Sequence, residues 1–135
     1  MKKLIIIFIS LISFLEILPQ TQSFNLEFDY ARFFYDDSSG FFELYYSFYE
    51  PGFKSVFEDS VESVNGSLFL KIEDAKSNEV IVNKEYQFKS HPQKKDNGDK
   101  NLIGVIAFQI PNGVYNCLMV GKDTQKENSL DSINF

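Results

Sequence analysis

Tryptophan is absent from this 135-residue sequence, and cysteine and histidine occur only once each. The single cysteine, Cys117, excludes an internal disulfide, so core packing must hold the fold together. One cysteine and one histidine, His91, cannot build a typical three- or four-ligand zinc site. The sequence also lacks a glycine-rich phosphate loop, a nucleophile elbow and the HExxH motif. We therefore predict a protein that is not an enzyme, with no catalytic residues, no metal site and no cofactor.

Basic side chains are in the minority, which limits the classes of partner. Residues 1–23 contain two lysines and one glutamate, so residues 24–135 hold 11 basic and 18 acidic side chains, a net charge of −7. An acidic domain repels phosphate backbones, so we predict that nucleic acid is not a partner. The acidic pairs Asp36-Asp37 and Glu58-Asp59 lack the ligand spacing of a calcium loop, and we interpret them as solvated turns.

The first 23 residues have the three parts of a secretory signal peptide. Lys2 and Lys3 supply a positive start, residues 4–15 form an apolar run, and small or polar residues follow up to Ser23. A membrane-spanning helix needs about 20 apolar residues, whereas this run is shorter and is followed by Glu16. We predict a signal-peptide helix that is cleaved near Ser23, a periplasmic or secreted location, and no stable membrane span afterwards. A retained membrane anchor is the alternative.

From residue 24 onward, short apolar runs alternate with turn signals, as in all-β sandwiches and barrels. Over residues 24–30 and 42–48, apolar side chains recur at every second position, which is the period of a strand. Residues 36–40 and 74–79 are rich in Asp and Ser and are predicted turns. We predict one domain over residues 24–135, an all-β, immunoglobulin-like antiparallel β-sandwich of about six or seven strands.

Four segments carry more specific predictions. Residues 102–110 are the most apolar of the domain and are predicted to form a central strand covered on both faces. Asn112-Gly113 is a strong hairpin signal, predicted to join this strand to a partner that begins at Val114. Residues 53–64 fit a short amphipathic helix or, as we favour, a brief edge strand followed by an acidic loop. Residues 90–101 are predicted to be a solvated loop.

Outward-facing aromatic residues are the candidates for a partner surface. Tyr45 and Tyr49 lie opposite the predicted buried face of their strand, and Phe69 lies opposite the face formed by Leu68 and Leu70. Exposed apolar patches mark interaction sites, so we predict that Tyr45, Tyr49 and Phe69 contribute to one. The alternative is that these rings are covered or pack against neighbouring strands.

Tyr115 stands two residues before Cys117, as the tyrosine of the corner in immunoglobulin-like sandwiches stands before a cysteine. We predict that the Tyr115 hydroxyl donates a hydrogen bond to upstream backbone and that Tyr115 is a structural corner. Cys117 is interpreted as a small buried core residue, because free cysteines are often buried. A nucleophilic pair of Cys117 and His91 is the alternative.

Two segments resemble the N-terminal β-domain of GWxTD-domain proteins of bacterial envelopes. They are residues 28–34 (FDYARFF) and 42–48 (FELYYSF), and Gly113-Val114-Tyr115 followed by Asp123 is similar to a further strand of that domain. The GWxTD motif itself is absent, because the sequence has no tryptophan. The resemblance implies an exported β-sandwich module and supplies no catalytic residues.

Together these observations predict an exported module that mediates protein–protein interaction in the bacterial cell envelope, with an envelope protein as its partner. The alternative is a sandwich that binds carbohydrate or another small ligand on surface tyrosines. An enzyme fragment is the third and weakest reading.

Overall fold

The computed structural model describes residues 24–90 and 100–135. The predicted signal peptide, His91 and most of the predicted loop at 90–101 lie outside the described residues. Within them, one 3-10 turn at Glu50–Gly52 is the only helical element, so the all-β prediction is confirmed. The strands are β1 (Leu26–Phe34), β2 (Ser39–Tyr49), β3 (Val56–Glu58), β4 (Val61–Ser63), β5 (Asn65–Asp74), β6 (Val80–Lys89), β7 (Asn101–Pro111), β8 (Tyr115–Asp123) and β9 (Leu130–Asn134).

Seven of these strands form two antiparallel sheets that pack as a sandwich. One sheet has three strands in the order β1-β2-β7, and the other has four in the order β6-β5-β8-β9. The short strands β3 and β4 pair with each other in a separate two-stranded sheet. The backbone N–H of Leu26 donates a hydrogen bond to the side-chain carboxylate of Asp131 (3.0 Å), which connects β1 of one sheet to β9 of the other.

The predicted turns after β1 and β5 are present, and each is organised by an aspartate. The Asp36 carboxylate accepts hydrogen bonds from the backbone N–H groups of Ser38 (2.8 Å) and Ser39 (2.7 Å). The Asp74 carboxylate accepts from Lys76 (2.9 Å) and Ser77 (2.8 Å) in the same way. These hydrogen bonds favour the charged form, so the pKa of each carboxyl group lies below its usual value. The hydrogen bond from the Ser38 hydroxyl contributes most to the lowered pKa of Asp36, and the bond from the Ser77 backbone N–H contributes most to that of Asp74.

Residues 56–63 form a small β-hairpin rather than a helix. Asp59 (φ 50°) and Ser60 (φ 67°) both adopt the left-handed conformation that a two-residue type I′ turn requires. The strand alternative for this segment was therefore correct, but the acidic residues do not form a loop: Glu58 ends β3, Asp59 lies in the turn and Glu62 lies in β4.

Two predictions about β7 and its successor are wrong. β7 is not a central strand covered on both faces, because within the described chain it pairs only with β2 and lies at the edge of its sheet. Its outward side chains are open to solvent, with Ile103 78% and Val105 57% exposed. The continuous apolar run had concealed an alternation in which Leu102, Gly104 and Ile106 face inward.

The Asn112-Gly113 connection is also not a hairpin turn. It carries the chain from β7 in the three-stranded sheet to β8 in the four-stranded sheet, so the two strands are not partners. No glycine of the described chain has a positive φ, whereas a type I′ turn would need one at Gly113. Asn112 is instead held by the β1–β2 turn. Its backbone N–H donates a hydrogen bond to the carbonyl oxygen of Ser38 (2.9 Å), and its side-chain NH₂ group donates one to the carbonyl oxygen of Asp37 (3.0 Å).

The core lies between the sheets and is filled by alternate side chains of both. Its fully buried members come from β2 (Leu44 and Phe48), β5 (Leu68, Leu70 and Ile72) and β8 (Met119). The Phe48 ring lies within 6 Å, centre to centre, of the rings of Phe24, Phe53 and Phe88. Gly121 on β8 has no side chain because the same ring fills the space that a Cβ atom would need.

We expect Phe48→Ala to lower the free energy of unfolding by about 3–5 kcal/mol, because it removes a buried ring and leaves a cavity in a packed aromatic cluster. Phe34→Ala is the matched control, since Phe34 is 81% exposed; its expected cost is within about 0.5 kcal/mol. Urea denaturation of the two variants measures the difference. Equal, small losses would contradict the placement of Phe48 at the centre of the core.

Candidate functional site

The structure does not bring the three predicted surface aromatics together. Tyr45 and Tyr49 both lie on the outward side of β2, where Tyr45 is flanked by Asp29 of β1 and Val105 of β7. Phe69 lies on the outward side of β5, in the other sheet, beside Val120. Since the two outer sides face away from each other, they cannot form one continuous surface.

The outer side of the three-stranded sheet is the more apolar and exposed of the two candidate locations. Ile103 is 78% exposed, Val105 57% and Tyr45 39%. Strand register places further apolar outward residues on the neighbouring positions. We call this surface the outer apolar face; it comprises Ala31, Phe33, Phe41, Tyr45, Ile103, Val105 and Ala107.

The charges on this outer side all have the same sign. Glu27, Asp29 and Glu43 point outward among the apolar residues, and no outward position of β1, β2 or β7 carries a lysine or arginine. The Tyr45 hydroxyl donates a hydrogen bond to the Glu43 carboxylate. This bond is the main reason that the pKa of Tyr45 is raised, with a smaller contribution from the charge of Asp29. The face is therefore apolar with carboxylates interspersed among its side chains.

The sequence offered a signal for Ile103 and Val105 that its overall hydrophobicity obscured. Gly104 lies between them on the inward side, where the Tyr46 ring occupies the space that a side chain would fill. A glycine in a strand commonly marks such a close approach. If Gly104 faces the core, its two neighbours Ile103 and Val105 must point to the opposite side of the sheet, because successive side chains of a strand alternate between its two sides.

Tyr115 lies at the start of β8, where the structural corner was predicted. Its hydroxyl donates a hydrogen bond to the carbonyl oxygen of Pro111, four residues upstream, at 2.8 Å. Its ring lies against Gly113, where a Cβ atom would be 3.0 Å from the ring. Partial burial and the charge of Asp74 raise the pKa of Tyr115, and Arg32 partly offsets them. The corner thus fixes the crossover between the two sheets.

A cleft of about 220 Å³ opens beside this corner, at the end of the sandwich. We call it the end cleft. The three-stranded sheet contributes one wall and the four-stranded sheet the other, and the lining residues are Tyr30, Arg32, Phe42, Ile110, Gly113, Tyr115, Cys117 and Phe135. Four of the eight are aromatic, and the Tyr30 ring stacks on that of Phe135 with centroids 5.7 Å apart.

Arg32 is the only arginine in the sequence, and it supplies the positive charge of the end cleft. Its guanidinium donates a hydrogen bond to the Asn112 side-chain oxygen, which the β1–β2 turn holds in place. The ion pairs of the described chain, Lys71–Glu73 and Lys89–Glu58, do not include it. No sequence pattern pointed to Arg32, because the crossover that positions Asn112 was predicted to be a hairpin.

Cys117 lies at the floor of the end cleft and is buried. Burial raises the pKa of its thiol to about 11, so the group is neutral near pH 7. Backbone hydrogen bonds between Cys117 and Phe135 (2.9 and 3.1 Å) hold the floor to the wall. A neutral, buried thiol has the properties of a core residue, and the histidine of the alternative catalytic pair lies outside the described residues.

Neither a metal centre nor a membrane-spanning helix is found in residues 24–90 and 100–135. No three of their Asp, Glu, His and Cys side chains are grouped so as to hold a metal ion. None of the helical structure there is long and apolar enough to cross a bilayer. Comparison with known proteins returned no matching family model and no matching curated protein.

We expect Tyr115→Phe to lower the free energy of unfolding by about 0.5–1.5 kcal/mol, because it removes the hydrogen bond to Pro111 and keeps the ring. Tyr35→Phe, on a tyrosine that is 58% exposed, should change it far less. Urea denaturation of both variants provides the comparison. The corner would have no role in stability if both variants unfolded like the unmodified protein.

The thiol of Cys117 should react slowly in the native state. At pH 8, we expect alkylation by iodoacetamide to be at least about tenfold slower than in urea, because a raised pKa reduces the thiolate fraction and burial blocks access. The native rate should still be climbing between pH 9 and 10.5, where an ordinary thiol is already largely ionised. Mass spectrometry over time measures both rates, and equal rates would show that the thiol is exposed.

Proposed function

We propose that the protein is an exported interaction module of a bacterial cell envelope, and that it binds a partner protein through the outer apolar face. The single observation that carries this proposal is the combination of exposed Ile103, Val105 and Tyr45 with outward carboxylates and no outward cation. Surfaces of this kind are uncommon on the free faces of monomeric proteins and typically mark interaction sites.

Export is part of the proposal and rests on the sequence. The positive start, the short apolar run and the polar stretch up to Ser23 support a cleaved signal peptide and a mature domain of residues 24–135. The resemblance to the N-terminal β-domain of GWxTD-domain proteins supports an envelope location, and it remains a prediction. A periplasmic or secreted protein of this size without a disulfide depends on its core, which the buried rows of β2, β5 and β8 provide.

We further propose that the sandwich has immunoglobulin-like topology. The first, second and fifth strands of the sandwich share one sheet and the third, sixth and seventh share the other, as in that class, and the fourth strand, β6, pairs with the third. In this correspondence β8 is the strand that carries the tyrosine corner, and Tyr115 stands at its start. The hairpin of β3 and β4 is then an insertion between the second and third strands of the sandwich.

The chemistry of the outer apolar face selects its partner. A segment with alternating apolar and basic side chains would cover Ile103 and Val105 and place cations near Glu43, Asp29 and Glu27. An acidic or neutral segment would leave these carboxylates desolvated without a compensating charge, which costs free energy. The expected partner is therefore an envelope protein that presents a basic, amphipathic segment.

A ten-residue peptide of alternating leucine and lysine, labelled with a fluorophore, tests this selection by anisotropy titration. We expect it to bind, and we expect the equivalent leucine–glutamate peptide not to bind. Ile103→Lys should raise the Kd of the lysine peptide at least about tenfold, because it replaces a buried apolar contact by a like charge. Gln87→Lys, on the outer side of the other sheet, is the matched control and should raise it much less.

Salt and self-association provide the contrary outcomes. Raising the salt concentration from 0.1 M to 1 M shortens the Debye length from about 10 Å to about 3 Å, so the affinity should fall. Equal binding of both peptides, or no effect of Ile103→Lys, would contradict the proposal. A concentration-dependent dimer that Ile103→Lys abolishes would show instead that a second copy covers the face.

A further inference from the structure

The end cleft has the composition of a binding site for a small molecule, separate from the outer apolar face. Its lining combines the aromatic rings of Tyr30, Phe42 and Phe135 with the guanidinium of Arg32. Small-molecule sites in proteins are typically concave and mostly apolar, with a few fixed polar groups that orient the ligand. The cleft therefore defines the ligand through its volume, its walls and its one charge.

The volume indicates the size of the ligand group that the cleft can enclose. A closed cavity of about 150 Å³ accommodates a benzene molecule. The end cleft, at about 220 Å³, has room for one ring with a short side chain. The Tyr30 ring packs directly against the rings of Phe42 and Phe135, with centroids 5.6 and 5.7 Å apart, so the three rings form a continuous aromatic lining on one side of the space. A planar apolar group packs against such walls favourably.

The walls are fixed before any ligand arrives. The corner hydrogen bond from Tyr115 to Pro111 ties β8, in the wall from the four-stranded sheet, to the end of β7 in the other wall. Paired backbone bonds join Cys117 to Phe135 within the wall from the four-stranded sheet. Asn112, which is bonded to the backbone of the β1–β2 turn, positions the Arg32 guanidinium. Preorganised groups lose little freedom on binding, which favours affinity.

The charge of Arg32 is available to a ligand. A guanidinium has five N–H donors, and its partner here is the neutral amide of Asn112, not a carboxylate. At the floor, Cys117 is buried and its thiol is neutral near pH 7, so it neither attracts a cation nor repels an anion. The domain is acidic as a whole, so an arginine with no ion pair to a carboxylate of residues 24–90 and 100–135 is the distinguishing electrostatic feature of this site.

We infer that the end cleft binds a small monocarboxylate that carries one aromatic ring, with the ring against the aromatic lining of Tyr30, Phe42 and Phe135 and the carboxylate on Arg32. Arginine binds carboxylates with two parallel, charge-assisted hydrogen bonds, and this geometry requires the planar guanidinium. The inference goes beyond the proposed interaction with a partner protein, because the end cleft and the outer apolar face share no residue.

3-Phenylpropionate is the probe, and its uncharged analogue 3-phenylpropionamide is the control ligand. Titration into isotope-labelled protein should shift the backbone amide resonances of Gly113, Tyr115 and Cys117 in proton–nitrogen NMR spectra. We expect the carboxylate to bind at least about tenfold more tightly than the amide, because only the carboxylate forms charge-assisted bonds with Arg32.

Variants separate the role of the guanidinium from a general effect of charge. Arg32→Gln should weaken carboxylate binding at least about tenfold and leave amide binding unchanged, and Arg32→Lys should restore only part of the loss. Lys122→Gln removes one positive charge from the outer side of the other sheet and should have no effect. The NMR spectra of each variant also report whether it is folded, so a loss of binding is interpreted only for folded protein.

The inference is overturned if 3-phenylpropionate causes no shifts near the end cleft at millimolar concentration, or if folded Arg32→Gln binds it as tightly as the unmodified protein. Ile103→Lys distinguishes this result from failure of the proposed function. That variant should no longer bind the leucine–lysine peptide but should bind 3-phenylpropionate as the unmodified protein does, because the two sites are on different parts of the sandwich.

Discussion

The contact between the two sheets is the constraint on which the rest of the molecule depends. The only cysteine is unpaired, so nothing covalent links the layers, and the side chains between them must supply the cohesion. Phe48 is central because its ring packs against three rings from distant parts of the chain. These are Phe24 before β1, Phe53 after β2 and Phe88 near the end of β6. Burial of these side chains brings together segments that are distant in the sequence. The outer apolar face and the end cleft therefore exist only when the two sheets are packed together.

The two candidate sites arise from different parts of this arrangement. The outer apolar face belongs to one sheet alone and reflects the choice of side chains at outward positions of β1, β2 and β7. The end cleft exists because the chain crosses from one sheet to the other after β7, which places Tyr115 and Cys117 opposite Tyr30 and Arg32. One site therefore depends on a single sheet, and the other depends on how the two are joined.

Local patterns were sufficient to predict strands and turns, and insufficient to predict which strands are neighbours. The period of two in β2 and the aspartate turns at Asp36 and Asp74 are written in adjacent residues, so they could be recognised. The edge position of β7 and the crossover at Asn112 depend on contacts with residues some 70 positions away, such as Ser38. For the same reason Tyr45 and Phe69 were assigned to one surface, although pairing places them on opposite sides.

Within residues 24–90 and 100–135, β7 has no second strand partner, and this open edge bears on the solubility of the protein. β7 contains no charged residue, whereas β1 and β6 carry several and β9 is short. Charges and short length are the usual means by which a sheet edge avoids adding a strand from another molecule. Aggregation of the folded chain is therefore expected to begin at β7. The tendency to aggregate should be greatest at high protein concentration and in the absence of a binding partner.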